Sequence, residues 1–540
     1  YANKVEGEGK SYIAFNPEQI KSQFNPKPTS DPRISHRLTP QQDTFDDVVK
    51  ELSNVEMLDS KDPEQFADNK EIGRYLVNKT KEIQKKYNID LKRNKKFTDE
   101  QIEIISDILV REGLNELITN PKNAGAWYST NTENAIRLLG EIYPEILNDM
   151  DSRSTFVVAL AITSNGQDPN TNTKYALDVY DFYKKNKRFP ETKEEFDSAG
   201  SVSGSMREGF KKYNSLIKEY GVEKTNEFLN TKYTVSKMNN MGYNIKSESV
   251  GEEVPGAIIF GPKIGGAFYA NLQGAFEFVT MDRWFIRTMG RLTGELMRDV
   301  SDLKPQINRF RNTLLKTKGQ IVKLGHKKTG ITVDEKKYPL QFKYNRKKII
   351  KEFDIDIELL KSDDNYAISI AADIKRLYAK GGFKNKTETN MAANNLIGLV
   401  VSTVEAPKNK TERVDFRKIM NLATDKINKK ISDLNLEISK LYPADLQAVI
   451  WFPEKRLFGK LRKGKQTSKE TSYEDEAKEI LKSRGYDDKR IGDILNSDKD
   501  YGTKGGAFNE NVKKEKIELQ KSYRLAPKPE STKELITRKI

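Results

Sequence analysis

Two neighbouring stretches, Phe260-Gly-Pro-Lys-Ile-Gly-Gly-Ala-Phe-Tyr-Ala-Asn-Leu272 and Val279-Thr-Met-Asp-Arg-Trp-Phe-Ile-Arg287, decide how this chain is read. Each carries apolar residues at helical spacing behind a polar or glycine-containing start, which predicts helices over 262–272 and 281–298 joined by a short loop. Lys263 then falls in the first turn of one helix and Asp282 at the N-terminal end of the next, 19 residues on. That separation is about one helix out and one loop back, so an amine and a carboxylate far apart in sequence can face one cleft.

Outward from this pair the pattern stays helical. Segments 131–143, 155–163, 173–185, 206–220 and 224–229 alternate with short loops, and strand-type alternation is nearly missing, so the block reads as all-α. Upstream, Val48, Val49, Leu52, Val55 and Leu58 begin a helical pattern. Thr98-Asp-Glu-Gln101 has the form of a capping box ahead of Ile102, Ile104, Ile105, Ile108 and Leu109. A second helical block runs from Lys348 to about Phe458, with Met391–Val404 its most apolar helix. The expected organisation is an extended or disordered lead-in at 1–45, a helical segment at 46–120, the central helical domain at 121–310, and a linker or small hairpin at 311–345. The second block at 346–458 and a basic, polar tail at 459–540, with a short acidic-basic helix at 473–485, complete it. The tail is expected to be solvated or to wrap a partner.

Composition removes many kinds of chemistry. The 540 residues include no Cys, so disulfides, thiolate metal sites and cysteine nucleophiles are excluded. The two histidines, His36 and His326, stand far apart, which argues against multi-histidine metal sites and Ser-His-Asp chemistry. No apolar run approaches the roughly 18 residues of a membrane span. The chain begins at Tyr1 without a basic-then-apolar leader, and reads as a fragment or processed product of something longer. Lys and Arg number 94 against 79 Asp and Glu, a net charge of +15. With a pI near 9.3, this points to a polyanion partner, most simply nucleic acid. Lysine bias of an AT-rich genome would give the same charge. Lys460, Arg462 and Lys463, within a cluster that also holds Lys455, Arg456 and Lys465, could track phosphates or form a solvated linker.

The segment around Lys263 and Asp282 resembles the helix-hairpin-helix DNA glycosylase superfamily, in which a Leu-Pro-Gly-Val-Gly-x-Lys hairpin leads into a helix and a Val-Asp-x-His-x-x-Arg segment follows. Gly261 and Lys263 fall on the second hairpin glycine and the lysine, Asp282 on the aspartate and Arg287 on the arginine. The sequence departs from the pattern where Ile258 and Ile259 replace the hairpin proline and first glycine, and where Trp284 replaces the histidine. The resemblance implies a helix-hairpin-helix fold, Lys263 as nucleophile, Asp282 as assisting carboxylate, and Gly261, Gly265, Arg283 and Arg287 against DNA. Neither role requires a cofactor or metal. A neutral lysine amine can attack a sugar C1′ to form a Schiff base, and a carboxylate can stabilise the positive charge that develops on the sugar. The target base would have to leave the stack.

A looser resemblance joins Ala126-Trp-Tyr128, Tyr143-Pro-Glu145, Phe156–Ser164, Asn170–Tyr183, Ala444–Trp451 and Pro453-Glu-Lys455 to glycosylase-like domains inside large bacteriophage polyvalent proteins. It implies a location in the virion or the host cytoplasm and, besides DNA, other virion proteins as partners. The competing expectations are a virion cargo or ejected structural protein with an inactive domain, and a non-catalytic DNA-binding module. On the plainest reading, Lys263 and Asp282 are surface charges on ordinary core helices.

Overall fold

The structure is a computed structural model of the 540-residue chain. It describes residues 39–120, 127–196, 204–298, 300–316, 355–379, 388–436, 438–464 and 472–496. It also describes short strands at 2–4, 11–13, 319–322, 325–327, 330–332 and 341–344. The described residues are mainly helical, as expected, and the strands occur only as two-stranded pairs.

Local chemistry sets the helix ends. The Asp99–Thr119 helix opens on the expected capping box, in which the Thr98 hydroxyl accepts from Gln101 N at 3.2 Å while the Gln101 side chain accepts from Thr98 N at 2.9 Å. Asp149 and Asp168 cap Met150–Thr163 and Pro169–Asn186 by accepting from Ser152 N and Thr171 N. Gly294, at φ +71°, ends Arg283–Thr293 in the left-handed conformation.

Tertiary packing cuts across the expected domain divisions. One core unites Trp127, Phe156, Tyr180, Phe210 and Tyr269 with Ala444, Phe452, Tyr473 and Leu481. A second joins Leu52, Ile105, Ile108 and Leu109 to Phe285, Met289, Ile419, Met420 and Val449. The helices Lys410–Asp433 and Pro443–Lys460 therefore belong with 46–120 and 279–293, not with a separate block at 346–458. Their apolar faces find partners hundreds of residues away, which composition along the chain does not register. A third core, Leu303 to Ile397, draws only on its own segment. This unit is inserted between two points that lie side by side: Val404 N donates to Leu296 O at 2.8 Å, and Met297 bridges Thr403. Within it, 319–322 pairs with 341–344 and 325–327 with 330–332, both antiparallel, in the region expected to be a linker or hairpin.

The tail also differs from expectation. The expected short helix at 473–485 is present as Tyr473–Ser483, but it and a second helix, Asp488–Asn496, are not solvated: their Tyr473, Ala477, Leu481, Ile491 and Ile494 are buried in the first core. Of the expected tail, 465–471 and 497–540 lie outside the described residues. In the lead-in, strands 2–4 and 11–13 pair antiparallel and the first helix, Thr39–Leu52, begins before residue 45; the rest lies outside the described residues.

Candidate active site

The glycines of the first stretch build the site. A 3-10 turn, Gly256–Phe260, runs into a reversal at Gly261, whose φ of +109° favours glycine. The chain returns through a wide π-type turn, Ile264–Phe268, into Tyr269–Leu272. The two arms cross so closely that a Cβ on Gly265 would stand 1.6 Å from the Ala257 carbonyl oxygen. Only glycine fits there, and its close approach fixes the direction in which Lys263, the residue capping the π turn, leaves the backbone.

Asp282 is held with equal definition. It is the N-cap of Arg283–Thr293, and its Oδ1 accepts from Phe285 N at 2.8 Å. Extended backbone before the helix alternates its side chains. Val279 and Met281 enter the second core, leaving Thr280 and Asp282 to the opposite side. Burial is the largest influence on the Asp282 carboxyl and raises its pKa. The Lys263 ammonium is the foremost counterweight, followed by the N–H groups of Phe285 and Trp284. The amine and the carboxylate thus share one electrostatic environment. Both residues are partly exposed, and the Lys263 ammonium has no ion-pair or hydrogen-bond partner among the described residues.

Three further residues close around the pair. Tyr128 is buried, its ring set edge-on to Phe268 at 6.1 Å, and its N–H donates to buried Asp445 at 3.0 Å. Burial pushes the Tyr128 phenol upward, a hydrogen bond from Thr280 opposes this, and the charge of Asp282 raises it further. Asn271 donates to Thr280 Oγ1 at 3.0 Å, while its own Oδ1 is buried without a partner. In sequence Tyr128 reads as a core aromatic, and neither Thr280 nor Asn271 stands out. The alternation Val279-Thr-Met-Asp282 is the one signal that could have placed Thr280 beside the acid.

Other expected contacts fall elsewhere. Gly265 is buried, and its N–H donates to Gly261 O at 3.0 Å. Gly261 N–H is likewise spent on Ile258 O at 2.7 Å. Neither amide is free to hold a phosphate, because the hairpin uses them to close itself. Arg287 is also no DNA contact. It is 3% exposed, bonds Thr403 Oγ1 and Glu405 at 3.1 Å each, and lies against the rings of Trp284 and Phe458 at 4.7 and 4.9 Å. Burial lowers its pKa to about 10, with Glu405 opposing. It anchors the helix behind Asp282. Arg283 is exposed beside the site and pairs with Glu405 at 3.1 Å.

The Lys455–Lys463 run is not a solvated linker. Lys460 Nζ hydrogen-bonds Leu58 O and Arg462 bonds Asn69 Oδ1, while Lys463 N donates to Phe66 O at 2.9 Å. Lys463 itself is exposed. The run lies away from Lys263, at the far end of Pro443–Lys460. Among the described residues no group of three or more His, Cys, Asp or Glu is arranged to hold a metal ion, and no helix is long and apolar enough to cross a membrane. No protein-family model, no curated protein and no solved structure matches the chain.

Proposed function

We propose that the protein is a DNA-acting glycosylase/lyase of the helix-hairpin-helix kind, with Lys263 as nucleophile and Asp282 as the assisting carboxylate. The observation that carries this reading is the placement of an amine and a carboxylate at two successive helix starts, with the Lys263 charge acting on Asp282 and neither group consumed by a contact salt bridge. A lysine with no contact partner beside an acid held by backbone N–H groups suits proton transfer better than structural pairing.

In the proposed reaction, Asp282 takes a proton from the Lys263 ammonium. The neutral Nζ adds to C1′ as the bond to the base breaks, and the base leaves with the electron pair and gains a proton. The adduct nitrogen still carries two protons; one is lost, the nitrogen lone pair then breaks the C1′–O4′ bond, O4′ leaves with that bond's electron pair and gains a proton, and a protonated imine remains between Nζ and C1′. The carboxylate offsets the positive charge that builds on the sugar. The buried Tyr128 and Thr280 hydroxyls hydrogen-bond one another and form the wall behind the acid. A bacteriophage origin, with DNA and virion proteins as partners in the virion or host cytoplasm, is part of the same proposal. It rests on sequence resemblance.

Borohydride trapping on DNA containing damaged bases or abasic sites tests the chemistry. A covalent adduct that Lys263→Gln abolishes, while thermal stability stays within about 0.5 kcal/mol as for a surface substitution, supports the enzyme. Absence of any adduct, with the chain recovered as a stoichiometric particle component, supports the cargo reading instead.

A further inference from the structure

An open groove of about 860 Å³ lies well removed from Lys263. It forms where the ends of Asp99–Thr119 and Pro443–Lys460 meet the loop around Lys61. Its lining is rich in cations and poor in acids. Lys61, Arg456, Lys460 and Arg462 face Asp59 as the single carboxylate, and amides and a hydroxyl occupy much of the remainder. A groove of this size and sign suits an extended polyanion.

Counter-charging of two helix C-termini accounts for part of the set. Arg456 is bound to buried Glu116 and Lys460 to the Leu58 carbonyl. It does not account for Lys61, which is exposed on a loop and has no ion pair among the described residues, or for Arg462, which lies beyond the helix end. The frame is rigid: Phe66 N donates to Leu461 O and Lys463 N to Phe66 O, so strand-like bonds pin Arg462 at the rim. Those bonds also set Phe66 there, next in the chain to the lining residue Gln65. Its ring meets Tyr75 at 4.9 Å, and Lys79 stands 6.0 Å from the Tyr75 ring. Neither ring lines the groove itself; both rest on the core of Ile72, Leu76, Leu457 and Leu461 and stay only partly buried. Aromatic faces beside a cationic groove are what single-stranded nucleic acid uses, with bases stacking and phosphates following the positive charge.

We infer that this groove binds the phosphodiester backbone of single-stranded nucleic acid, with the Phe66–Tyr75 pair as a stacking platform at its rim. The inference extends the nucleic-acid reading above to a second surface and does not require the Lys263 chemistry.

Fluorescence anisotropy of the full chain with labelled oligo-dT, over a range of salt concentrations, tests it. Lys61→Glu together with Arg462→Gln should weaken binding about tenfold at low salt, and the log–log salt slope should fall by about 0.7 for each phosphate no longer neutralised. Lys61→Glu alone changes an exposed loop residue and guards against misfolding of the double variant; its slope should fall by about 0.7, the share of a single phosphate. Tyr75→Leu should weaken oligo-dT severalfold and leave the binding of inorganic polyphosphate unchanged. The inference is overturned if oligo-dT does not bind, or if affinity and slope survive Lys61→Glu. It is also overturned if Tyr75→Leu has no effect on oligo-dT while polyphosphate competes in proportion to its charge, which marks a general anion surface. Lys263→Gln should leave oligo-dT binding intact, so loss of the covalent adduct and loss of groove binding are read separately.

Discussion

Arg291 is the most demanding charge in the protein, because it is 1% exposed and serves two buried acids at once. Its Nη2 donates to both oxygens of Glu112 at 2.9 and 3.0 Å, its Nε to Glu454 at 2.9 Å, and its Nη1 to the Leu52 carbonyl at 3.0 Å. Four helices distant in sequence meet at this one guanidinium. Two carboxyls share a single positive charge in a buried site, so ionising both is costly. Burial is the main cause and lifts Glu112 from 4.5 to about 7; Arg291 opposes it and Glu454 adds to it. An acid whose folded value lies above its unfolded value contributes stability fully below about pH 4.5, and that contribution is lost as pH rises to about 7. At about 1.4 kcal/mol per pH unit, the gap corresponds to about 3 kcal/mol. Other buried acids, such as Glu133 and Glu248, are raised in the same direction, so the measurement must be a difference. Urea unfolding of the native chain and of Glu112→Gln, compared from pH 5 to pH 8, isolates the group. The stability advantage of native over variant should shrink by about 2–3 kcal/mol across that range. An advantage that stays constant, or grows with pH, would show that Glu112 is ionised throughout beside Arg291.

The hairpin glycines should separate by mechanism. Gly265→Ala forces a Cβ onto the Ala257 carbonyl and should cost at least about 3 kcal/mol, whereas Gly261→Ala meets open space and only the strain of φ +109°, about 1–2 kcal/mol by urea unfolding. Asp282→Asn keeps a good N-cap, so stability should fall by less than about 1 kcal/mol while borohydride trapping is lost; a large stability loss would recast the residue as structural. Arg287→Ala removes a buried fork and its ring contacts and should cost about 2–3 kcal/mol, with the salt slope of DNA binding unchanged; a reduced slope would return it to the interface.

Sequence alone determined the local level: the mainly helical class, most helix positions around the site, and the Thr98–Gln101 cap. It also determined that Lys263 and Asp282 stand at two successive helix starts. These features follow from spacing and capping chemistry within a few residues, so they are readable without a fold. The long-range features came from the packed chain. It assigned Lys410–Asp433 and Pro443–Lys460 to the core of the N-terminal helices, and it folded 473–496 onto the aromatic core. It turned Arg287 inward to Glu405, and it brought Tyr128 beside an acid more than 150 residues away. An apolar stripe declares that it must be covered and not by what, and a cation looks the same in sequence whether its counter-ion is a phosphate or a carboxylate folded over it.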